Sequence, residues 1–143
     1  MERRIFIKKC SKGCLGVMAT GLLLEGCAGP RYISGILDNS FLKIPKDAFL
    51  KEDNSFLKYV VVQNDSLQYP IAVFRVGPDE YKALLMKCTH QGTELQVFGD
   101  RLQCPAHGSE FTRSGSVQNG PADSALRSFK VEEDISTLKI NLS

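Results

Sequence analysis

Short apolar runs, separated by polar turns, follow one another through most of the chain. Each run is rich in Val, Ile, Leu, Phe and Tyr and too short for a typical helix, which predicts strands. The predicted strands are residues 59–63, 69–76, 81–87, 94–98, 101–103, 125–131 and 137–142. Turn-forming sequences such as QNDS, GPDE and RSGS lie between them. This spacing predicts an all-β fold, an antiparallel sandwich or small barrel.

Two local features indicate where strands begin. Pro70 lacks a backbone N–H, so its strand is expected to start there or to lie at a sheet edge. The segment NSFLK occurs twice, at residues 39–43 and 54–58. Two matches this short indicate two similar strand entries rather than a repeat architecture.

Residues 1–26 follow a different pattern: a basic stretch, an apolar run and then small residues. This is the layout of an export signal, and the run is well short of the roughly 20 residues that span a bilayer. Arg3-Arg4 begins a segment that resembles a twin-arginine signal, and residues 24–27 resemble a lipobox. We predict an exported protein on the periplasmic side of a bacterial cell envelope, anchored in the membrane by lipid on Cys27. Cleavage after Ala28 and a retained N-terminal anchor are the alternatives.

Length and composition fit one folded domain. Of the 143 residues, 43% are apolar and 24% charged, which is ordinary for a globular protein. We predict a tether at residues 27–40, where Gly and Pro occur, and a single domain at residues 41–143. The signal region holds five of the 18 Lys and Arg, so the remainder is close to neutral. This charge balance argues against nucleic acid as a partner.

The only two histidines of the chain share a 20-residue window with two of its cysteines. The window begins with CTH at residues 88–90 and ends with CPAH at residues 104–107. Cys-x-x-His is a metal-ligand spacing, because a tight turn brings both side chains to one centre. Thiolates hold the iron of iron-sulfur clusters, and imidazole in place of two thiolates raises the reduction potential. The alternative is one zinc ion bound by two Cys and two His.

The segment CTHQGTELQVFGDRLQCPAHGSEFTRSGSVQNGPA, residues 88–122, resembles the Rieske 2Fe-2S family. In that family two cluster-binding loops read C-x-H and C-x-x-H. The resemblance implies a Rieske-type antiparallel β sandwich or barrel with a small two-loop cluster-binding subdomain. The loops would be residues 88–93 and 104–122, and Gly120-Pro121-Ala122 resembles the loop that covers the cluster.

The resemblance also implies the cofactor, one 2Fe-2S cluster per chain, and its ligands. Cys88 and Cys104 would bind the inner iron, and His90 and His107 the outer, solvent-facing iron. Ser109 would direct its hydroxyl at a bridging sulfide.

Three positions depart from the respiratory, high-potential members of that family. Thr93 and Ala106 stand where those proteins have a cysteine pair that forms a disulfide between the loops. We therefore expect packing, hydrogen bonds and the cover from Pro121 to hold the loops here. Phe111 stands where those proteins have a tyrosine that donates a hydrogen bond to the cluster. With Ser109 as the remaining donor, we predict a potential in the middle of the range of roughly −150 to +300 mV.

The resemblance implies one-electron transfer. An oxygenase catalytic subunit would need a mononuclear iron site with two further histidines, so the chain is not expected to be one. The export signal favours a membrane-tethered subunit of a quinol-oxidising or other oxidoreductase complex, as in cytochrome bc complexes or the small subunit of arsenite oxidase. Its partners would be a cytochrome or oxidoreductase subunit, and a quinol bound at His90 or His107. The alternatives are a Rieske ferredoxin that supplies an oxygenase or reductase, and a lipoprotein with structural zinc.

Overall fold

The computed structural model describes residues 29–143, and its regular structure consists of strands and one short 3-10 helix, Lys46–Phe49. The strands are β1 (Tyr32–Ser34), β2 (Ile36–Asp38), β3 (Phe41–Pro45), β4 (Tyr59–Gln63), β5 (Ile71–Gly77), β6 (Glu80–Leu85), β7 (Gln96–Phe98), β8 (Arg101–Gln103), β9 (Glu110–Thr112), β10 (Val117–Asn119), β11 (Ser128–Glu133) and β12 (Thr137–Asn141). The predicted all-β class is confirmed. The predicted export signal at residues 1–26 and the candidate lipid site Cys27 lie outside the described residues. Between residues 29 and 143 there is no helix with the length and apolar character needed to cross a bilayer.

The strands form two sheets. The larger has eight strands in the order β1-β4-β5-β6-β11-β12-β3-β2, and the smaller has four in the order β10-β9-β8-β7. The smaller sheet is antiparallel and comes from one continuous stretch of chain between β6 and β11, two strands that pair with each other. That stretch carries both Cys/His motifs. The smaller sheet and its loops are therefore a subdomain inserted into the larger sheet.

Residues 32–38 close the larger sheet, which corrects the prediction of a tether at residues 27–40. Strand β1 pairs with β4 at one end of the sheet, β2 pairs with β3 at the other, and Gly35 alone separates β1 from β2. A Cβ at Gly35 would lie 2.7 Å from Leu42 Cδ1 and 2.8 Å from Val62 Cγ1. Gly35 therefore allows close packing at the closure, where the sequence alone suggested a flexible linker residue.

Substitution of Gly35 by alanine is expected to destabilise the fold. The new methyl group would overlap two fully buried side chains, Leu42 and Val62, so the core would have to shift. Overpacking of this kind costs about 1–3 kcal/mol of unfolding free energy, which urea denaturation would measure. Gly29→Ala is the matched control, because no atom lies within 4 Å of the added Cβ. Equal stability of the two variants would contradict the closure described here.

Strands β4 and β5 are buried on both faces. In β4, Val60 and Val62 enter one core, on the face of the larger sheet that also buries Leu42 and Leu138. Val61 enters the other core, between the two sheets, which contains Phe111 and both motif cysteines. A strand buried on both sides has no polar face, and this explains the uninterrupted apolar run of YVVVQ.

Candidate metal centre

The two Cys/His motifs form two loops with the same backbone hydrogen bonds. In the first loop the Cys88 N–H donates to the Thr93 carbonyl (2.8 Å), and the Cys88 carbonyl accepts from the Gly92 N–H (2.8 Å). In the second loop the Cys104 N–H donates to the carbonyl five residues on (2.8 Å), and its own carbonyl accepts from the glycine four residues on (3.0 Å). Each cysteine therefore closes its own loop and is fixed at the loop base.

The glycine of each loop adopts a left-handed backbone conformation. Gly92 has φ of 76° and Gly108 has φ of 78°. Glycine adopts such angles readily, whereas residues with a Cβ are strained there. The glycine that follows each histidine thus turns the chain back toward its cysteine.

The two thiols lie together in the core between the sheets. Cys88 and Cys104 are 1% and 2% exposed and form no disulfide. Burial acts to raise the pKa of the Cys104 thiol, but the backbone N–H groups of His107 and Ala106, together with the Cys88 and Thr93 side chains, outweigh it and hold that pKa below its ordinary value. Converging backbone N–H groups form a concavity that suits a negative atom. The loop therefore favours the thiolate, the form of cysteine that binds metal.

The two imidazoles lie together at the surface. His90 and His107 are both exposed, and their ring centroids are 5.1 Å apart with the planes nearly perpendicular, at 89°. One histidine comes from each loop, as the sequence predicted. The two loops therefore combine as a buried pair of sulfur donors and an exposed pair of nitrogen donors.

This division of the donors fits a two-metal group better than a single ion. A tetrahedral zinc ion requires four ligands around one centre. Among residues 29–143, no three Cys, His, Asp or Glu side chains are arranged to hold one metal ion. A 2Fe-2S cluster instead takes two sulfur ligands on one iron and two nitrogen ligands on the other. The residues present therefore fit the cluster that the sequence predicted.

Ser109 supplies a buried hydroxyl next to these donors. The side chain is fully buried, and its Oγ accepts a hydrogen bond from the Ala122 N–H (3.0 Å). The hydroxyl proton is not used in that bond, so it can donate to an acceptor in the centre, such as a cluster sulfide. Phe111 is fully buried in the same core and has no polar atom to offer there.

Residues 120–124, here termed the covering loop, connect the two motif loops. Thr89 Oγ1 donates to the Ser124 carbonyl (2.7 Å), and the Ala122 N–H donates to Ser109 Oγ. The covering loop is thus bonded to the first loop through Thr89 and to the second through Ser109. The two motif loops, which have Thr93 and Ala106 in place of a disulfide pair, are thus joined by hydrogen bonds through the covering loop. The spacing of the Cys/His motifs gives no indication that Thr89 bonds to the covering loop.

Tyr69 is a second support of the first loop that the sequence did not indicate. Its hydroxyl donates to the Gly92 carbonyl (2.8 Å) from a residue 23 positions earlier in the chain. Tyr69 was assigned only to a predicted strand, because nothing local shows that it contacts the loop. The contact depends on the register of β5 against β6, which brings residues 71 and 85 opposite each other beside the loop.

Substitution of Tyr69 by phenylalanine is expected to loosen the first loop. The ring is kept and only the hydrogen bond to Gly92 is lost, so the unfolding free energy should fall by about 0.5–1.5 kcal/mol. Denaturant unfolding of the metal-loaded protein and the half-life of its visible absorbance would measure the change. Tyr32→Phe is the control, since Tyr32 is 52% exposed at the start of β1. A longer-lived centre in Tyr69→Phe than in the control would contradict the role of Tyr69.

Comparison with protein families gives a match to this region. The family model described as Rieske [2Fe-2S] domain matches residues 45–130, which include both motif loops and the covering loop.

Individual relatives come from two kinds of protein. Methylxanthine N1-demethylase from Pseudomonas putida is 39% identical over 59 residues, which are 39% of this chain and 16% of that protein. Iron-sulfur subunit 2 of the cytochrome b6-f complex from Nostoc sp. is 29% identical over 76 residues, 52% of this chain and 36% of that protein. The chain thus spans much less than half the length of these curated relatives.

One similar solved structure is a complex of reduced oxygenase and oxidised ferredoxin in carbazole 1,9a-dioxygenase. The match covers 73% of this chain and 95% of the chain compared, with 25% identity and a TM-score of 0.55.

Proposed function

The chain belongs to the Rieske 2Fe-2S family, and on this premise we propose that it is an exported, membrane-tethered electron-transfer subunit of a quinol-oxidising or other oxidoreductase complex. Family membership gives it one 2Fe-2S cluster and a role in electron transfer. When bound, the cluster takes up and releases one electron at a time. The observation that carries the electron-transfer role is the arrangement of the donors, with sulfur buried and nitrogen at the surface.

In this proposal the four motif residues hold the cluster. Cys88 and Cys104 would bind the inner iron as thiolates, and the N–H groups of the second loop would stabilise the negative charge on Cys104. His90 and His107 would bind the outer iron, since the structure brings one imidazole from each loop together at the surface. Ser109, which is completely buried, would donate a hydrogen bond from its hydroxyl to a cluster sulfide.

The exposed histidines form the side from which electrons enter and leave. His90 and His107 are the ligands in contact with solvent, whereas the thiols are enclosed by the core between the sheets. A partner that contacts the imidazoles reaches the centre without opening the fold. A quinol hydroxyl can also hydrogen-bond to an imidazole nitrogen at this surface.

The tether and the partner class rest on the N-terminal sequence and on one relative. Residues 1–26 have the layout of an export signal, and Cys27 ends a lipobox-like segment. The iron-sulfur subunit of a cytochrome b6-f complex is among the relatives, which supports a cytochrome or oxidoreductase subunit as the partner.

A Rieske ferredoxin that supplies an oxygenase or reductase is the second candidate. Two observations favour it: the 25% identity to the chain from the dioxygenase and ferredoxin complex, and the lack of loop cysteines at Thr93 and Ala106. A ferredoxin of this kind would remain in the cytoplasm.

Fractionation of cells that express the full chain separates the two candidates. The proposal expects the protein in the membrane fraction, released by Cys27→Ala to the periplasm and retained in the cytoplasm by the double variant Arg3→Lys and Arg4→Lys. The intact mass of membrane-extracted protein should show a lipid adduct that the Cys27→Ala variant lacks. Wild-type protein that stays in the cytoplasm with an uncut N-terminus would support the ferredoxin role instead. An EPR spectrum of the reduced protein, with iron and zinc contents, tests the cluster itself.

A further inference from the structure

A cleft of about 470 Å³ opens directly beside His90. Its walls are the first motif loop, Ser124 of the covering loop, and the side chains of Lys87 and Arg127. Both of these residues carry a positive charge at neutral pH. No carboxylate lines the cleft in the part of the chain from residue 29 onward. The cleft is therefore electropositive and adjoins the proposed electron exit.

The two cations are held in place without a carboxylate. Lys87 Nζ lies 5.4 Å from the centre of the Tyr69 ring. The Arg127 guanidinium lies 4.8 Å from the Phe129 ring and donates from Nη2 to the Leu142 carbonyl (3.0 Å). Neither residue forms an ion pair within residues 29–143, although five other such pairs occur there. Their charge is thus available to a molecule outside the chain.

Two carboxylates of the neighbouring segments, Glu94 and Asp123, do not line the cleft. Glu94 is paired with Lys87 in an isolated antiparallel bridge, but Glu94 lines a separate cavity of about 320 Å³ with Tyr69. Asp123 is exposed in the covering loop and does not line the cleft. A carboxylate from another molecule could therefore enter the cleft and contact Lys87 and Arg127 without displacing a carboxylate of this chain from its lining.

We propose that the redox partner of this protein has an acidic docking surface and places a carboxylate in the cleft between Lys87 and Arg127. This inference rests on the proposed function, since it assigns the partner's chemistry at the same exposed edge. A carboxylate in the cleft brings the partner's surface against His90. Complementary charge at an exit point raises the rate of productive encounters and selects against partners of the same sign.

A double variant, Lys87→Gln with Arg127→Gln, removes the two charges while leaving the motif residues unchanged. The control removes two exposed lysines of the same chain, Lys51→Gln with Lys58→Gln. Lys58 directly precedes β4, whose first residue pairs with Phe74, while Val62 at the other end pairs with Ile71 beside the motif loops. The control therefore makes the same change in net charge at the far end of the sheet.

The assay follows reoxidation of the reduced, full-length protein by stopped-flow absorbance at low ionic strength. Ferricyanide, an anion, takes one electron from the cluster and becomes ferrocyanide; tris(phenanthroline)cobalt(III), a cation, takes one electron and becomes cobalt(II). The double variant should react about fivefold more slowly with ferricyanide and no more slowly with the cobalt complex. Retention of the wild-type ferricyanide rate, or an equal loss in the control, would overturn the inference.

Competition with the ferricyanide reaction identifies the kind of anion. A polyglutamate peptide, the probe for an acidic protein surface, should inhibit the wild type and the control but not the double variant. Inhibition by inorganic phosphate without inhibition by polyglutamate would assign the cleft to a small anion and overturn the docking surface. A chain that neither oxidant can reoxidise would overturn the proposed function, and the inference with it. Normal reaction with the cobalt complex would show that electron transfer is intact, so a failure of the docking inference can be told from a failure of the proposed function.

Discussion

Substitution of Cys104 by serine is expected to leave the chain without its cluster. The thiolate is one of two buried cysteine donors, and residues 29–143 contain no third cysteine to replace it. A serine hydroxyl at this site is a poor iron ligand. Iron content should therefore fall below about a tenth of the wild-type value, with loss of the EPR signal of the reduced protein.

Cys27→Ser is the control for this experiment. It also removes one thiol from the chain, but from outside the motif loops, so the iron content should stay at about two per chain. The same measurement separates cluster from zinc: one zinc per chain in the wild type, lost in Cys104→Ser, would show a structural ion in place of the cluster. Full iron content in Cys104→Ser would refute the assignment of Cys104 as a ligand.

The strands and the motif loops could be predicted because their signals are local. Strand β4 has the predicted bounds, and β5 begins directly after Pro70, as the missing N–H required. The two NSFLK segments begin alike, because Asn39 and Asn54 both have positive φ, at 50° and 62°. Only the first enters a strand directly, since β3 starts at Phe41 whereas Phe56 forms an isolated bridge and β4 starts after the second segment. Asparagine tolerates this conformation, which turns the chain before each segment's apolar residues.

Other elements could not be predicted, because they depend on partners distant in sequence. Strands β9 and β10 are three residues each, and the polar stretch that contains them has no apolar run to indicate a strand. Gly35 suggests a linker until Leu42 and Val62 are placed against it. In each case the deciding contact is made across the sheets, and pattern analysis within a short window does not detect it.

The candidate site likewise has parts that local sequence predicts and parts that it does not. The spacing of CTH and CPAH indicated the donors, and the loops carry them as expected. Thr89 and Tyr69 were missed because their bonds join segments 35 and 23 residues apart. The positive cleft was missed because the sequence shows only a net charge, and Lys87 and Arg127 lie 40 positions apart. Candidate metal ligands can therefore be recognised from local sequence, whereas the side chains that support their loops and the charges that line a cleft cannot.

Replacement of Ser109 by alanine is expected to lower the reduction potential. A hydrogen bond to a cluster sulfide stabilises the reduced state more, because that state carries one more negative charge, so loss of the bond favours the oxidised state. Hydrogen bonds to charged groups contribute about 1.5–3 kcal/mol, and 1.4 kcal/mol corresponds to about 59 mV for one electron. Since both redox states keep part of the bond, we expect a decrease of about 50–100 mV, measured by redox titration with EPR detection.

Substitution at Phe111 tests the opposite change, the addition of a hydrogen-bond donor near the centre. Phe111→Tyr adds a hydroxyl to a ring fully buried in the core that contains both motif cysteines. If the ring presents that hydroxyl to the centre, as the resemblance implies for this position, the potential should rise. Ser109→Ala also removes the acceptor of the Ala122 N–H, so its spectrum must match the wild type to show an intact centre. An unchanged potential in a spectroscopically intact Ser109→Ala variant would show that the hydroxyl does not reach the cluster.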